Sequence, residues 1–184
     1  MATAISNMKG TDMRLFISID FTEEVKDVLK DAVKQLRRQT RSAGFTREEN
    51  LHLTLAFIGE VEEDDVYDII EIMKHTDMKP FDISVSGSGH FGDLWWIGIN
   101  KKGSLAKLAD HLKKQLRDAG FDIDNKKFKP HITVARRVVP NKTHDDIKLS
   151  IPETSMTVDG FSLMKSERID GRLTYTELFW KALG

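Results

Sequence analysis

None of the 184 residues is a cysteine. Disulfide bonds, thiol catalysis and cysteine-based zinc sites are therefore excluded. No apolar run approaches the roughly 20 residues of a membrane-spanning helix, and the first dozen residues are small and polar, unlike a secretory signal. These absences favour a soluble, cytoplasmic protein with no membrane partner, in which residues 1–12 form a loose leader.

Two motifs of nucleotide-dependent enzymes are also missing. The chain has no glycine-rich phosphate loop, and the string nearest to the K-x-D-G motif of ATP-dependent ligases, at residues 168–171, lacks the lysine. We therefore expect no nucleotide cofactor. The net charge of −1 does not indicate nucleic-acid binding, but basic residues flank the second histidine motif described below and are expected to attract a polyanion. They are Lys126, Lys127, Lys129, Arg136, Arg137 and Lys142.

One short pattern, histidine–aliphatic–threonine–aliphatic–alanine, occurs twice in the chain. It reads HLTLA at residues 52–56 and HITVA at residues 131–135. Because side chains alternate along a β-strand, the histidine and threonine of each copy share one face. Two such strands facing each other would present two imidazoles and two hydroxyls, a set that suits acid–base chemistry on a phosphate ester.

The repetition extends beyond the motif. An apolar run, the tetrapeptide Lys-Gln-Leu-Arg and the tripeptide Ala-Gly-Phe recur in the same order. They lie at residues 15–20 and 95–100, 34–37 and 114–117, and 43–45 and 119–121. The copies begin near residues 14 and 94, an offset of about eighty residues that is too long for a solenoid repeat. We interpret them as two pseudo-symmetric lobes of a single domain spanning residues 1–184, whose histidine strands meet at the lobe interface.

Hydrophobic periodicity predicts strands and helices without regular β–α–β alternation, so the fold class is α+β. Gly44 is expected to end the first helix, and Gly59 the first histidine strand. The predicted strands span residues 14–20, 51–58, 81–85, 95–99, 156–166 and 172–180, with another opening at Pro130. One predicted helix begins at Thr22, and two others span residues 62–74 and 104–119.

Six histidines are present, and four of them lie outside the motifs. None of these four has a threonine two positions later, and we interpret them as structural or surface residues; they are His75, His90, His111 and His144. The two motif histidines have no carboxylate cluster nearby, so they would form a poor first coordination shell. We predict no metal site.

The two motifs and their surroundings resemble the two-histidine phosphoesterase superfamily. The resemblance lies in HLTL and FIGEV at residues 52–55 and 57–61 and in HITVAR at residues 131–136, and it extends from Arg14 to residues 175–178. Within this superfamily the chain resembles the RNA 2′,3′-cyclic phosphodiesterases, also called 2′-5′ RNA ligases or LigT-like proteins. The resemblance implies a bilobal fold, with antiparallel sheet and flanking helices around a central cleft, and a metal-independent reaction.

The resemblance also implies roles for the motif residues. His52 would be the proton donor to the leaving 3′ oxygen, and His131 the proton acceptor that activates water, giving a 2′-phosphate. The sequence itself leaves open which histidine is the acid. The hydroxyls of Thr54 and Thr133 would donate to the non-bridging oxygens, where negative charge grows in the transition state.

Three further residues are candidates for binding the substrate. Arg136 matches the arginine that follows the second motif in the family, whereas strand parity places Arg137 on the His131 face unless a bulge intervenes. Either guanidinium would bind phosphate. Phe57, or the pair Trp95–Trp96, would stack a nucleobase. Ala56 stands where relatives often carry a basic residue, so phosphate contacts would depend more on the second motif.

The sequence thus predicts an enzyme that hydrolyses the 2′,3′-cyclic phosphate ends of RNA or oligonucleotides, acting as a monomer without a cofactor. The same site could run in reverse and join a cyclic phosphate to a 5′-hydroxyl in a 2′-5′ link. Two alternatives remain: a non-catalytic module that binds RNA or nucleotides, and a phosphodiesterase for another small cyclic phosphate.

Overall fold

A computed structural model describes residues 12–100 and 103–184. Within these ranges, two antiparallel sheets and three α-helices form an α+β fold. The strands are β1 (Met13–Ile19), β2 (Thr40–Phe45), β3 (Leu53–Val61), β4 (Phe81–Phe91), β5 (Leu94–Asn100), β6 (His131–Pro140), β7 (Thr154–Val158), β8 (Gly160–Ile169) and β9 (Arg172–Ala182). The helices are α1 (Glu23–Arg38), α2 (Val66–Lys74) and α3 (Gly103–Asp118).

Each sheet contains one of the two histidine strands. The four-stranded sheet has the order β3-β1-β8-β9, and the five-stranded sheet has the order β2-β6-β5-β4-β7. In both sheets the histidine strand pairs with the apolar strand from its own half of the chain, β3 with β1 and β6 with β5. The two sheets meet where β3 contacts β6. The two predicted histidine strands therefore lie side by side between the lobes.

The helices connect the two halves. Helix α1 begins after Thr22, whose hydroxyl accepts a hydrogen bond from the backbone N–H of Val25, and its apolar stripe is buried. This helix comes from the first half but packs against β2, β6 and β7 of the five-stranded sheet. Helix α3 comes from the second half and contacts β3 as well as β4. Because α1 crosses to the other half and α3 bridges both, the two sheets share one hydrophobic core.

The same irregularity occurs in both histidine strands. Leu55 is an extra residue in β3, because the residues on either side of it pair with consecutive residues of β1. Val134 is the extra residue in β6, for the same reason against β5. A bulge of this kind exchanges the faces of all residues that follow it. The pseudo-symmetry therefore includes the local backbone distortion as well as the motif letters.

The register corrects part of the predicted alignment. Ser18 pairs with Thr54 and Trp96 pairs with Thr133, so these partners are equivalent and the apolar strands are offset by 96 − 18 = 78 residues rather than eighty. The two Ala-Gly-Phe strings are not equivalent. Residues 43–45 lie in β2, whereas residues 119–121 follow α3, where Gly120 adopts a φ of 97° at the helix end.

Several predicted boundaries were wrong. Gly44 does not end the first helix, which stops at Arg38; it lies in β2, a strand that the periodicity missed. Gly59 does not end β3, which continues to Val61. The strand contains a second irregularity here, and Gly59 adopts a φ of 89° at this point. The strand predicted over 156–166 is interrupted at Asp159, which separates β7 in one sheet from β8 in the other.

The predicted leader lies outside the described residues except for Asp12. The assignment of residues 1–184 to one domain remains a prediction. No helix in the described part of the chain is both long and apolar enough to cross a membrane.

Candidate active site

His52 immediately precedes β3, and both of its ring nitrogens are engaged. Its Nδ1 is 2.7 Å from the backbone oxygen of Asn50, and its Nε2 is 3.0 Å from Oγ1 of Thr54. A carbonyl oxygen can only accept, so Nδ1 carries a proton and donates. In the neutral ring, Nε2 is therefore the acceptor of the Thr54 hydroxyl proton. The nitrogen that can exchange a proton with a substrate is Nε2.

His131, the first residue of β6, is held in the same way. Its Nδ1 is 2.7 Å from the backbone oxygen of Lys129, two residues upstream, as in the first copy. The proton again sits on Nδ1 in the neutral ring, which leaves the Nε2 lone pair available. The backbone of Thr133 is anchored by the hydroxyl of Thr46, which donates to its carbonyl oxygen at 2.9 Å.

The two bulges determine which residue after each motif faces the site. Beyond Val134, the bulge places Arg136 on the face of His131 and Thr133. Beyond Leu55, the equivalent residue is Phe57, which is exposed on the face of His52. The first copy thus carries an aromatic ring where the second copy carries a guanidinium.

Arg137, which strand parity places on the His131 face, lies at a backbone irregularity of β6. This residue adopts a φ of 53°, and its guanidinium passes over β2, where a Cβ added to Gly44 would lie 3.4 Å from Arg137 Nη2. Ala56 also differs from expectation. It is only 1% exposed and faces the core, so a basic side chain at this position would not extend into the cleft.

The His52 ring is packed among aromatic side chains. Its centroid lies 4.8 Å from that of Phe16 and 5.2 Å from that of Tyr175. Burial disfavours the imidazolium and lowers the pKa of His52 below its ordinary value, and the Arg136 guanidinium acts in the same direction. The carbonyl of Asn50 and the carboxylate of Asp20 oppose this shift. Arg136 belongs to the five-stranded sheet, so positive charge from β6 also acts on the His52 ring.

Two residues of this face were missed by sequence reasoning. The Arg14 guanidinium lies over the Phe57 ring, with Cζ 4.9 Å from the ring centroid, and its Nη1 is 3.7 Å from Oε1 of Glu60. Tyr175 of β9 contacts both Phe16 and His52. Burial raises the pKa of its hydroxyl, and Arg136 and Arg14 oppose that rise. The sequence could have identified Arg14 from the alternation of side chains along β1, which places Arg14 on the same face as Phe16 and Ser18.

The two adjacent tryptophans face opposite sides of the five-stranded sheet. Trp95 is 3% exposed in the core, and its Nε1 donates to Nδ1 of His144 at 3.1 Å. Trp96 lies on the side of Thr133, and Phe91 packs between it and His131, with ring centroids at 5.3 and 5.7 Å. Phe91 and Trp96 are therefore the aromatic surface next to His131.

All six basic residues predicted around the second motif are exposed. Across residues 12–100 and 103–184, no three histidine or carboxylate side chains converge in an arrangement that could hold a metal ion. Metal independence remains a prediction to be tested with a chelator.

A family model described as the 2′-5′ RNA ligase superfamily matches residues 25–170. The chain belongs to this superfamily. An RNA 2′,3′-cyclic phosphodiesterase from Thermotoga maritima is 34% identical over 163 residues, which cover 84% of this chain and 87% of that protein. One from Archaeoglobus fulgidus is 34% identical over 162 residues, covering 84% and 91%.

Solved structures of the superfamily share the fold. E. coli LigT in its apo form matches with a TM-score of 0.79 at 27% identity, over 95% of this chain and 99% of that chain. E. coli LigT complexed with 3′-AMP matches with a TM-score of 0.78 at 26% identity, and the match covers 95% of this chain and 99% of that chain. The α+β fold predicted from the resemblance is confirmed.

Proposed function

We propose that this protein hydrolyses the 2′,3′-cyclic phosphate ends of RNA to 2′-phosphomonoesters, using His52 and His131 as an acid–base pair. One observation carries the proposal: both histidines have Nδ1 fixed at 2.7 Å from the carbonyl two residues upstream, which leaves Nε2 of each for proton transfer. The superfamily relatives named as RNA 2′,3′-cyclic phosphodiesterases support this substrate class.

The attack on phosphorus begins at His131. Its Nε2 accepts a proton from water as the water oxygen bonds to phosphorus. An imidazole suits this step because it titrates near neutral pH. The exposed basic residues around the second motif draw the polyanion towards this side of the cleft.

Breakdown of the cyclic ester occurs at His52. As the bond between phosphorus and O3′ breaks, the Nε2–H of the His52 imidazolium protonates the leaving oxygen, which leaves a 3′-hydroxyl and a 2′-phosphate. The lowered pKa of this ring makes its imidazolium a stronger acid, and the anionic phosphate stabilises the charged form when it binds. Each turnover ends with His131 protonated and His52 neutral, so proton exchange with water resets the pair.

Charge that develops on the non-bridging oxygens is stabilised by hydroxyl and guanidinium groups. We assign this role to Thr54, Thr133 and Arg136, with Arg14 as a second cation beside Phe57. We do not include Arg137, because its guanidinium lies over β2. No cofactor is required by this scheme. The monomeric state and the cytoplasmic location remain predictions.

The same groups would catalyse the reverse reaction if a 5′-hydroxyl replaced water at His131. A panel of RNA oligonucleotides with cyclic phosphate ends, tested beside small cyclic phosphates, measures which reaction and substrate dominate. Turnover of RNA ends supports the proposal. Turnover of small cyclic phosphates alone would indicate a different substrate, and RNA binding without turnover from pH 5 to 9 would indicate a binding module.

A further inference from the structure

A cavity of about 380 Å³ opens on the site face of the four-stranded sheet, next to His52. Its volume lies in the range of small-molecule sites. Its floor carries aromatic rings and hydroxyls from β1, β8 and β9, and its walls come from the start of α1 and the segment before β3. The floor comprises Phe16, Ser18, Ser162, Met164, Tyr175 and Glu177. His131 does not line it.

The stereochemistry of the proposed reaction determines which part of the substrate lies on this side. In-line displacement places the attacking water and the leaving O3′ on opposite sides of phosphorus. If His131 activates the water, then O3′ is at His52. Since O2′ and O3′ belong to the same ribose, the terminal nucleoside lies on the His52 side, where this cavity is the adjoining space. This step rests on the proposed function.

One carboxylate in the cavity differs from the others. Asp20 and Glu23 pair with Lys26, Glu48 pairs with Lys30, and Glu49 pairs with Arg47. Within the described residues, Glu177 forms no ion pair. Its Oε2 instead accepts a hydrogen bond at 2.7 Å from the hydroxyl of Ser162, which is 5% exposed.

This contact fixes the orientation of the Glu177 carboxylate. A neutral hydroxyl donor leaves its negative charge in place, and the second oxygen has its acceptor capacity left for a ligand.

We propose that Glu177, oriented by Ser162, reads the terminal nucleobase and selects bases that carry an amino group. Adenine, cytosine and guanine each present an exocyclic amine that donates to a carboxylate. Uracil offers one N–H between two carbonyl oxygens, which a carboxylate repels. The rings of Phe16 and Tyr175 supply apolar and aromatic surface beside the base, in the manner of single-stranded RNA recognition.

The test compares kcat/KM for four RNA oligonucleotides that differ only in the base bearing the cyclic phosphate. The wild-type protein should favour adenine, cytosine and guanine ends over uracil by about 5- to 160-fold, the usual value of one specific base contact. Glu177→Gln should bring the four values together, because an amide accepts and donates. Glu153→Gln is the matched control, because Glu153 makes the same kind of contact with Ser84 at 2.8 Å on the other sheet.

Equilibrium binding of the four nucleoside 2′-monophosphates separates this inference from the proposed activity. A Glu177-dependent preference in binding without turnover of any end would support the base site and contradict the proposed activity. Turnover with equal rates for the four ends, or an unchanged order in Glu177→Gln, would overturn the base site alone. A preference that disappears in Phe91→Ala but persists in Glu177→Gln would overturn it too, because the base would then lie beside His131.

Discussion

Removing either motif histidine should slow hydrolysis by about 10²- to 10⁴-fold, the usual contribution of a positioned general acid or base. This range corresponds to about 2.7 to 5.4 kcal/mol of transition-state stabilisation. Both His52→Ala and His131→Ala are expected to fall in it, because each ring presents only Nε2 for proton transfer while Nδ1 is held by a carbonyl at 2.7 Å.

The two variants should differ in stability. The His52 ring packs at 4.8 Å from Phe16 and 5.2 Å from Tyr175. Aromatic pairs contribute about 0.5 to 1.5 kcal/mol each, so His52→Ala should lose about 1 to 3 kcal/mol of unfolding free energy. His52→Phe keeps an aromatic ring between the same neighbours, and it should be as slow as the alanine variant while losing less stability. That combination separates lost chemistry from lost packing.

The assay is single-turnover hydrolysis of an RNA with a labelled 2′,3′-cyclic phosphate end, at saturating enzyme. His75→Ala is the control, since His75 makes the same Nδ1 contact with a carbonyl, to Glu71 at 2.7 Å, at the end of α2. The double variant of His52 and His131 should be far from additive, as groups that act in one step are. Wild-type rates in either single variant would refute the acid–base pair.

Three further outcomes follow from the local environment of the site. By NMR, the pKa of the His52 ring should lie below the ordinary imidazole value. Arg136→Ala should raise this pKa, whereas Arg137→Ala should leave it unchanged. Equal shifts of the His52 pKa in the two variants would contradict the bulge geometry. The folded state binds a proton on the His52 ring less tightly than the unfolded state does. The free energy of unfolding measured in urea should therefore fall as the pH drops below about 6.5. The fall should be smaller in His52→Gln. Gly89→Ala should cost about 1 to 3 kcal/mol of unfolding free energy, because its Cβ would lie 2.4 Å from Trp96 Cζ2; unchanged stability would contradict the packing of that ring.

The duplication in the sequence predicted the central feature of the fold. Two strands with the same pattern of residue types share the same pairing, the same i−2 carbonyl contact and the same bulge. Spacing within the five-residue motif determines which of its side chains share a face, and this can be inferred without knowing the rest of the fold. Residues His52, Thr54, His131 and Thr133 were therefore accessible from the sequence, although their roles remain to be tested.

Other parts of the site depend on information that the sequence does not display. A bulge arises from the register between two strands, so no letter in the segment 131–137 distinguishes Arg136 from Arg137. Strand β2 is a partly exposed edge strand. Its sequence is polar and does not alternate between apolar and polar residues, so hydrophobic periodicity did not predict it. Tyr175 and Glu177 join His52 only because β9 and β8 pair beside β1, a contact between distant parts of the chain.

In the proposed reaction, two histidines open a cyclic phosphate without a metal ion. The most direct measurement is incubation of the EDTA-treated protein with a short RNA that ends in a 2′,3′-cyclic phosphate, followed by identification of the new end group. We expect complete conversion to a 2′-phosphate with a 3′-hydroxyl. A 3′-phosphate product would contradict the assignment of the leaving oxygen to His52, and activity restored only by added metal would contradict the mechanism itself.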